Sequence, residues 1–306
     1  MAKLVFLGTP EVAADTLDIL AMQGHEIMLV ITRPDKRRGR GGQSEPSPVA
    51  RKAIQLGLPV SFDPAQSIEC GAELGIVVAY GRLIKPEILT RIPMINVHFS
   101  LLPRWRGAAP VERAILAGDP TSGVCIMQVV DKLDAGAVYA KQEVAIGTEE
   151  SANQLRSRLG SIGAKLLVEC LSGNALQLPE PEIQLGDPTW ASKITSEDLH
   201  LDWTQTATYL HRVVRLGRAW TRFRQRRVIV TAALPESDGT ATAVGSGQPD
   251  GEIGQIVPEA DLGGMVVKCG QGVLVITKVQ PEGKREMTAK EWMNGAGPAI
   301  GECFEA

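Results

Sequence analysis

Short apolar strands alternate with helical patterns along the first half of the chain, and this alternation constrains the fold more than any other feature. The predicted strands lie at 3–7, 25–32, 74–79, 95–99, 123–130 and 137–146. Helical patterns at 11–22 and 151–171 lie between and after them. Because strands separated by helices pair in parallel, the sequence predicts an α/β fold with a doubly wound, mainly parallel, Rossmann-like sheet.

The second half of the chain predicts a smaller β domain. Residues 181–202 carry proline and glycine with little periodicity, which is typical of a linker. After a helical pattern at 206–216, the predicted strands lie at 228–234, 251–257, 265–268 and 273–279. We expect a first domain over 1–180 and a β-barrel domain over 203–306, with a β-sandwich as the alternative for the latter.

The charge balance excludes binding of nucleic acid through the overall field of the molecule. The chain has 32 Lys and Arg against 35 Asp and Glu, a net charge of −3. A nucleic-acid partner would therefore need a local basic patch.

Cysteine spacing and hydropathy bear on the compartment. Five scattered cysteines, none paired as C-x-x-C, argue against a disulfide framework or a zinc site. No apolar run approaches about 18 residues, and the first residues predict a buried strand rather than a signal peptide. We therefore expect a cytoplasmic protein with reduced thiols and no membrane contact. Because the sequence shows no apolar surface that would join subunits, we expect a monomer.

A cluster of polar residues marks the end of the strand at 95–99. Alternation along a strand sends Asn96, His98 and Ser100 to one face, at the edge where open α/β sheets bind ligands. An amide donor beside an imidazole is suited to polarising the carbonyl group of a ligand while a proton is transferred nearby. Asp134, in the acidic turn 131–136, would orient His98 if the fold brings them together. The structural alternatives are a hydrogen-bonded core histidine and an Asx turn.

Two segments are rich in basic residues. Residues 33–42 carry five basic side chains and three glycines directly after the second strand, which suits either a solvated loop or a clamp on a polyanion. The second segment is free of acidic residues between 204 and 235. Its arginines are Arg212, Arg215, Arg218, Arg222, Arg224, Arg226 and Arg227. The first three recur every three residues, and Arg222, Arg224 and Arg226 recur every two, so each part can present its charges on one face. Such a basic face is typical of a nucleic-acid binding surface, and the alternative is that it serves only solubility.

Four motifs together resemble the folate-dependent formyltransferases, over nearly the whole chain. They are V-F-L-G-T-P-E (5–11), V-V-A-Y-G (77–81), N-V-H-F-S-L-L-P-R-W-R-G-A-A-P (96–110) and L-D-A-G (133–136). The resemblance is to the members that act on methionine carried by initiator tRNA. It implies transfer of a formyl group from 10-formyltetrahydrofolate to the α-amine of that methionine, without a metal.

The resemblance also implies roles for individual residues. It makes Asn96, His98 and Asp134 catalytic. The implied folate contacts are Val78, Ala79, Tyr80, Gly81, Ser100, Leu101, Leu102 and Pro103, with a cis bond at Leu102-Pro103. The implied tRNA contacts lie in the loop 33–48, with Arg40 as its key arginine, and in a C-terminal barrel resembling the oligonucleotide/oligosaccharide-binding fold. They are Arg37, Arg38, Arg40, Arg212, Arg215, Arg222 and Arg224.

The resemblance leaves two rival functions open. A folate-dependent formyltransferase for a small amine, such as an amino sugar nucleotide, shares the Asn, His and Asp set. A non-enzymatic α/β binding module would make that set purely structural. The basic segments favour tRNA. Phe99 departs from the family, which often has a small residue at this position.

Overall fold

A computed structural model describes residues 2–34, 36–37, 44–172, 177–236, 251–257, 264–299 and 301–305. The chain divides into two compact units. The first comprises Met1–Arg113, Pro120–Ile146 and Gln154–Lys193, and the second comprises Ala114–Asp119, Gly147–Asn153 and Ile194–Ala306. The segment predicted as a linker, 181–202, is thus shared between them, with its part up to Lys193 in the first unit.

The six strands and the two helices predicted up to residue 171 are all present, together with shorter elements that the sequence pattern did not predict. The strands are β1 (Lys3–Gly8), β2 (Glu26–Ile31), β3 (Lys36–Arg37), β4 (Ser44–Glu45), β5 (Val60–Ser61), β6 (Leu74–Val78), β7 (Met94–His98), β8 (Arg106–Gly107), β9 (Thr121–Gln128), β10 (Val138–Ala145) and β11 (Trp190–Ala191). The helices are α1 (Glu11–Met22), α2 (Pro48–Gln55), α3 (Pro86–Leu89), α4 (Pro110–Ala117) and α5 (Ala152–Leu171). A 3-10 helix covers Pro64–Ile68.

Seven strands form the main sheet of the first unit, in the order β10-β9-β7-β6-β1-β2-β5. The pairs from β7 to β5 are parallel, and β9 runs antiparallel to both β7 and β10. The chain starts at β1 and winds outwards in both directions, so the predicted doubly wound, mainly parallel sheet is confirmed. The carboxyl ends of β1, β6 and β7 meet at one edge, where such sheets bind ligands.

Two small strand pairs lie outside the main sheet. β8 pairs in parallel with β11, which ties residues 106–107 to the segment predicted as a linker. β3 pairs with β4, and both strands belong to the loop 33–48, which is rich in basic residues. Arg38 and Arg40 of that loop lie outside the described residues.

The second unit is built on an antiparallel sheet. Its elements are a 3-10 helix (Glu197–Leu199), α6 (Ala207–Arg215), β12 (Trp220–Phe223), β13 (Arg226–Glu236), β14 (Ile256–Val257), β15 (Met265–Lys268), β16 (Val273–Pro281), β17 (Met287–Thr288) and α7 (Ala289–Ala296). The strand order is β12-β13-β16-β15-β14, with β17 on β16. Phe304 and Glu305 donate backbone hydrogen bonds to Gly254 and Arg222, so the C-terminal segment links the two outer regions of the sheet. This confirms a small β domain of half-barrel type.

Aromatic side chains fill the core of the second unit. Trp203, Phe223, Trp292 and Phe304 are buried and contact one another with ring centroids 5.0–5.8 Å apart. The indole Nε1–H of Trp203 donates to Thr221 Oγ1 at 3.0 Å, so burial leaves this polar atom paired.

One strand prediction in the second unit is wrong in extent. The strand predicted at 251–257 is reduced to Ile256–Val257, because Gly251 and Gly254 adopt φ values of 154° and 81° and form a turn. None of the described helices is long and apolar enough to cross a membrane.

Candidate active site

A cavity of about 430 Å³ opens at the carboxyl edge of the main sheet, within the first unit. Its volume lies within the roughly 300–1,000 Å³ range of small-molecule pockets. Asn96, His98 and Asp134 all line it. The apolar side chains of its wall include Val77, Leu83, Ile84, Phe99, Met127 and Val129. An apolar wall with a few convergent polar groups is typical of a pocket for a small organic molecule.

Asn96 and His98 reach the cavity from the last residues of β7. Two residues apart on one strand, they project to the same face, as the alternation predicts. β6 and β9 flank β7, pairing Asn96 with Val77 and with Met127. The sheet therefore holds both side chains from either side.

His98 is buried, with 5% of its surface exposed, and its two ring nitrogens face different groups. Nε2 lies 3.0 Å from the backbone carbonyl of Trp105. Because a carbonyl can only accept, Nε2 carries the hydrogen of this bond. Nδ1 lies 3.8 Å from Oδ2 of Asp134. In the neutral ring Nδ1 therefore holds the lone pair and is the atom that can accept a proton.

Asp134 is brought to His98 by an unusual backbone conformation. Its φ of 47° lies in the left-handed region, which is uncommon for a residue other than glycine. Oδ2 accepts a hydrogen bond of 2.8 Å from the backbone N–H of Gly107. The sequence prediction left open whether the fold unites Asp134 with His98, and the structure does unite them.

Residues 105–107 anchor both members of this pair, a role that the sequence did not reveal. The carbonyl of Trp105 binds His98, and the N–H of Gly107 binds Asp134. Gly107 has a φ of 125°, and a Cβ there would lie 2.7 Å from the carbonyl oxygen of Ala191. Only glycine allows this approach of β8 to β11.

The predicted folate contacts divide into two groups. Ala79, Tyr80 and Gly81 line the cavity after β6, where Gly81 is held by a hydrogen bond from Arg33 to its carbonyl. Burial raises the pKa of the Tyr80 phenol. Val78 is a buried residue of β6 that is not part of the cavity wall.

The segment Ser100, Leu101, Leu102 and Pro103 does not line this cavity either. For Ser100 the reason is local, because its hydroxyl donates to the carbonyl of Arg104 at 2.6 Å, within its own loop. The predicted cis bond at Leu102-Pro103 is confirmed. Contact of this segment with folate stays a prediction.

The arginines predicted to bind tRNA have different surroundings. Arg222 is exposed on β12. Arg224 lies in the turn before β13, with φ of 50°, and its guanidinium pairs with Glu302 at 2.6 Å. The period of two predicted across 222–226 is therefore broken, because this turn interrupts the strand.

Two further arginines of this set bind backbone groups of the second unit. Arg215 donates to the carbonyls of Glu150 and Gly147, at 2.8 and 2.7 Å. Arg212 donates a long hydrogen bond of 3.5 Å to the carbonyl of Ala117. Arg37 lies in β3, and only its backbone is described.

No group of three or more His, Cys, Asp or Glu side chains among the described residues is arranged to hold a metal ion.

Comparison with known proteins identifies related sequences. A family model described as "Formyl transferase" matches residues 2–171, and one described as "Formyl transferase, C-terminal domain" matches residues 193–297. The methionyl-tRNA formyltransferase of Methylococcus capsulatus is 40% identical, over 98% of this chain and 99% of the relative. That of Symbiobacterium thermophilum is 38% identical, over 99% and 95%.

Solved structures share the fold at low identity. HypX from Aquifex aeolicus in complex with tetrahydrofolic acid has a TM-score of 0.62 and 16% identity, over 99% of this chain and 48% of that one. The methionyl-tRNA formyltransferase from Clostridium thermocellum has a TM-score of 0.56 and 14% identity, over 77% and 94%.

Proposed function

This chain belongs to the formyl transferase family, and from that premise we propose that it formylates the α-amine of methionine carried on initiator tRNA, with 10-formyltetrahydrofolate as the donor. One observation carries the proposal: Asn96, His98 and Asp134 surround one cavity in the domain that matches the family. In the reaction, the bond between the formyl carbon and N10 of the folate breaks. A bond from that carbon to the methionine nitrogen forms, and the amine proton passes to N10.

Asn96 stabilises the formyl oxygen. As the amine attacks, this oxygen gains negative charge, and the side-chain amide of Asn96 donates a hydrogen bond to it. A donor held in place by β6 and β9 needs no reorganisation, which is why fixed donors of this kind stabilise a transition state so strongly.

His98 and Asp134 move the proton. With Nε2–H committed to the Trp105 carbonyl, the lone pair of His98 Nδ1 accepts the proton of the attacking amine. The imidazolium that forms is stabilised by the Asp134 carboxylate, 3.8 Å away. His98 then returns the proton to N10 of the departing folate, through water.

The two substrates are held by different parts of the chain. The apolar wall and the backbone of residues 79–81 fit the flat ring of the folate, and we assign residues 100–103 to the same substrate. The tRNA is bound by the loop 33–48, with Arg37, Arg38 and Arg40, and by the domain from residue 203 onwards, with Arg212, Arg215, Arg222 and Arg224. A cytoplasmic location and a monomeric state complete the proposal.

The test is formyl transfer from 10-formyltetrahydrofolate to charged initiator tRNA, with charged elongator tRNA and an amino sugar nucleotide as controls. We expect activity confined to the initiator. Activity on the sugar alone would retain the chemistry of the site and overturn the assignment of tRNA. The absence of transfer to all three acceptors would favour a binding module.

A further inference from the structure

The side chain of Gln184 uses its full hydrogen-bonding capacity in joining two loops of the active site. It lies in the irregular segment between α5 and β11, half-buried, whereas its neighbours Ile183 and Leu185 are 80% and 82% exposed. Its Oε1 accepts two hydrogen bonds and its Nε2 donates two. An amide with four hydrogen bonds to three residues fixes the position of all three relative to one another.

The first partner of Gln184 is Arg106, a cation with only 7% of its surface exposed. Nε and Nη2 of Arg106 donate to Oε1 at 3.0 and 2.6 Å. Arg106 stands between Trp105 and Gly107, whose backbone groups hold His98 and Asp134. Because a buried charge needs hydrogen-bond partners, the position of Gln184 determines where this segment lies.

The second partner is the turn that carries Asp134. Nε2 of Gln184 donates to the carbonyls of Asp134 and Gly136, at 2.9 and 2.7 Å. The left-handed φ of 47° at Asp134 is costly unless surrounding contacts maintain it. Gly136 packs so closely on β9 that a Cβ would lie 1.9 Å from the carbonyl oxygen of Gln128. The turn is thus held by β9 on one side and by Gln184 on the other.

We propose that Gln184 is a positioning residue for formyl transfer: it joins the segment 105–107 to the turn 134–136 and thereby keeps the Asp134 carboxylate beside His98. This inference rests on the proposed function. The four hydrogen bonds of Gln184 go to Arg106 and to the backbone carbonyls of Asp134 and Gly136, so it acts through the two loops. A displacement of about 1 Å at a reacting group can lower a rate about 100-fold.

Gln184 has two sets of hydrogen bonds, here called its arms: those of Oε1 with Arg106 and those of Nε2 with the turn 134–136. Two variants separate these arms. Gln184→Glu keeps acceptor oxygens for Arg106 but turns a carboxylate towards the carbonyls of Asp134 and Gly136, which repels the turn. Gln184→Ala removes both arms. Leu185→Ala is the matched control, because Leu185 lies next to Gln184 in the same segment and its side chain is exposed.

The experiment measures kcat and KM for both substrates across pH, with circular dichroism to check folding. We expect kcat to fall by about 10- to 100-fold in both variants, with little change in KM. The dependence of kcat on pH is expected to change as well, while Leu185→Ala behaves as the wild type. A merely structural role would leave the shape of the pH profile unchanged.

Three results would overturn the inference: variants with the kcat of Leu185→Ala, a kcat loss with an unmoved pH profile, or failure of Gln184→Glu to fold. A failure of the proposed function looks different, since the wild-type protein itself would then not formylate charged initiator tRNA.

Discussion

The cavity edge of the first unit and the arginine segment of the second, residues 212–227, both carry a regular spacing of polar residues in the sequence. Only in the first region do the regularly spaced residues lie on one face of the folded protein. Asn96 and His98 belong to one strand and both line the cavity. Arg222 and Arg226 belong to different strands, joined by a turn that contains Arg224.

The two regions also differ in what their polar groups bind. At the cavity edge, His98 and Asp134 bind backbone groups and both also line the cavity. In the arginine segment, Arg215 and Arg224 bind protein groups, whereas Arg222 is exposed. A spacing of residues therefore predicts a shared face only inside a single element, and the partners of each charge decide whether it is available to a ligand.

Replacement of His98 tests the cavity edge most severely. We expect His98→Ala to lower kcat by about 100- to 10,000-fold, because the proton of the amine loses its acceptor. Steady-state formyl transfer measures this, with His25→Ala as the control, since His25 precedes β2 and is not part of the cavity wall. A folded His98→Ala protein with full activity would refute the mechanism.

Removal of the Asn96 amide is the next largest change. Asn96→Ala should lower kcat by about 100- to 1,000-fold, because the developing charge on the formyl oxygen loses its donor. Gln142→Ala is the control, since it deletes an exposed amide from β10. If both variants show the same kcat, Asn96 is not the donor.

The elements with a strong local pattern were predictable from the sequence. The helix predicted at 11–22 is α1, and the strand predicted at 265–268 is β15. The periodicity of apolar residues within one element determines its type and its buried face, and neither depends on distant residues. The doubly wound, mainly parallel character of the sheet then followed from the alternation of strands and helices.

The contacts that orient the site were not predictable in this way. Gln184 and Gly107 lie in irregular chain or in a strand of two residues, where no period exists. Their roles arise from tertiary contacts with Asp134, which is 50 or 27 positions away in sequence. Similarly, the turn at Arg224 depends on its contact with Glu302 near the C-terminus.

The exposed Arg222 and the ion-paired Arg224 lie in the same hairpin, so replacing each in turn separates an arginine at the surface from one held by the protein. Arg222→Ala should weaken binding of tRNA and reduce the salt dependence of log K by about one unit of slope, because one phosphate contact is lost. Arg224→Ala should affect binding less and lower Tm more, because its guanidinium also holds Glu302 and the carbonyls of Ala296 and Gly297. Filter binding over a salt series, with Tm of each variant, measures both. Equal salt slopes and equal Tm values would remove the distinction.

The smallest expected effect concerns His211, a buried group that the cavity edge does not use. Its Nε2 lies 3.1 Å from Oε2 of Glu149, within the second unit. Burial lowers the pKa of His211. The charges of Arg215 and Arg212 lower that pKa further, whereas Glu149 raises it. The unfolded chain therefore binds the proton more readily than the folded one.

The sign of the pH dependence follows from this difference. The free energy of unfolding that His211 contributes is fully present above the ordinary histidine pKa, about 6.5, and is lost as the pH falls below it. His211→Gln removes the titrating group, so its Tm should decline less than that of the wild type between about pH 7.5 and about pH 5.5. His200→Gln is the matched control. Because Glu149 offsets part of the burial, the difference should be small, and a wild-type slope in His211→Gln would show that the buried imidazole has no part in it.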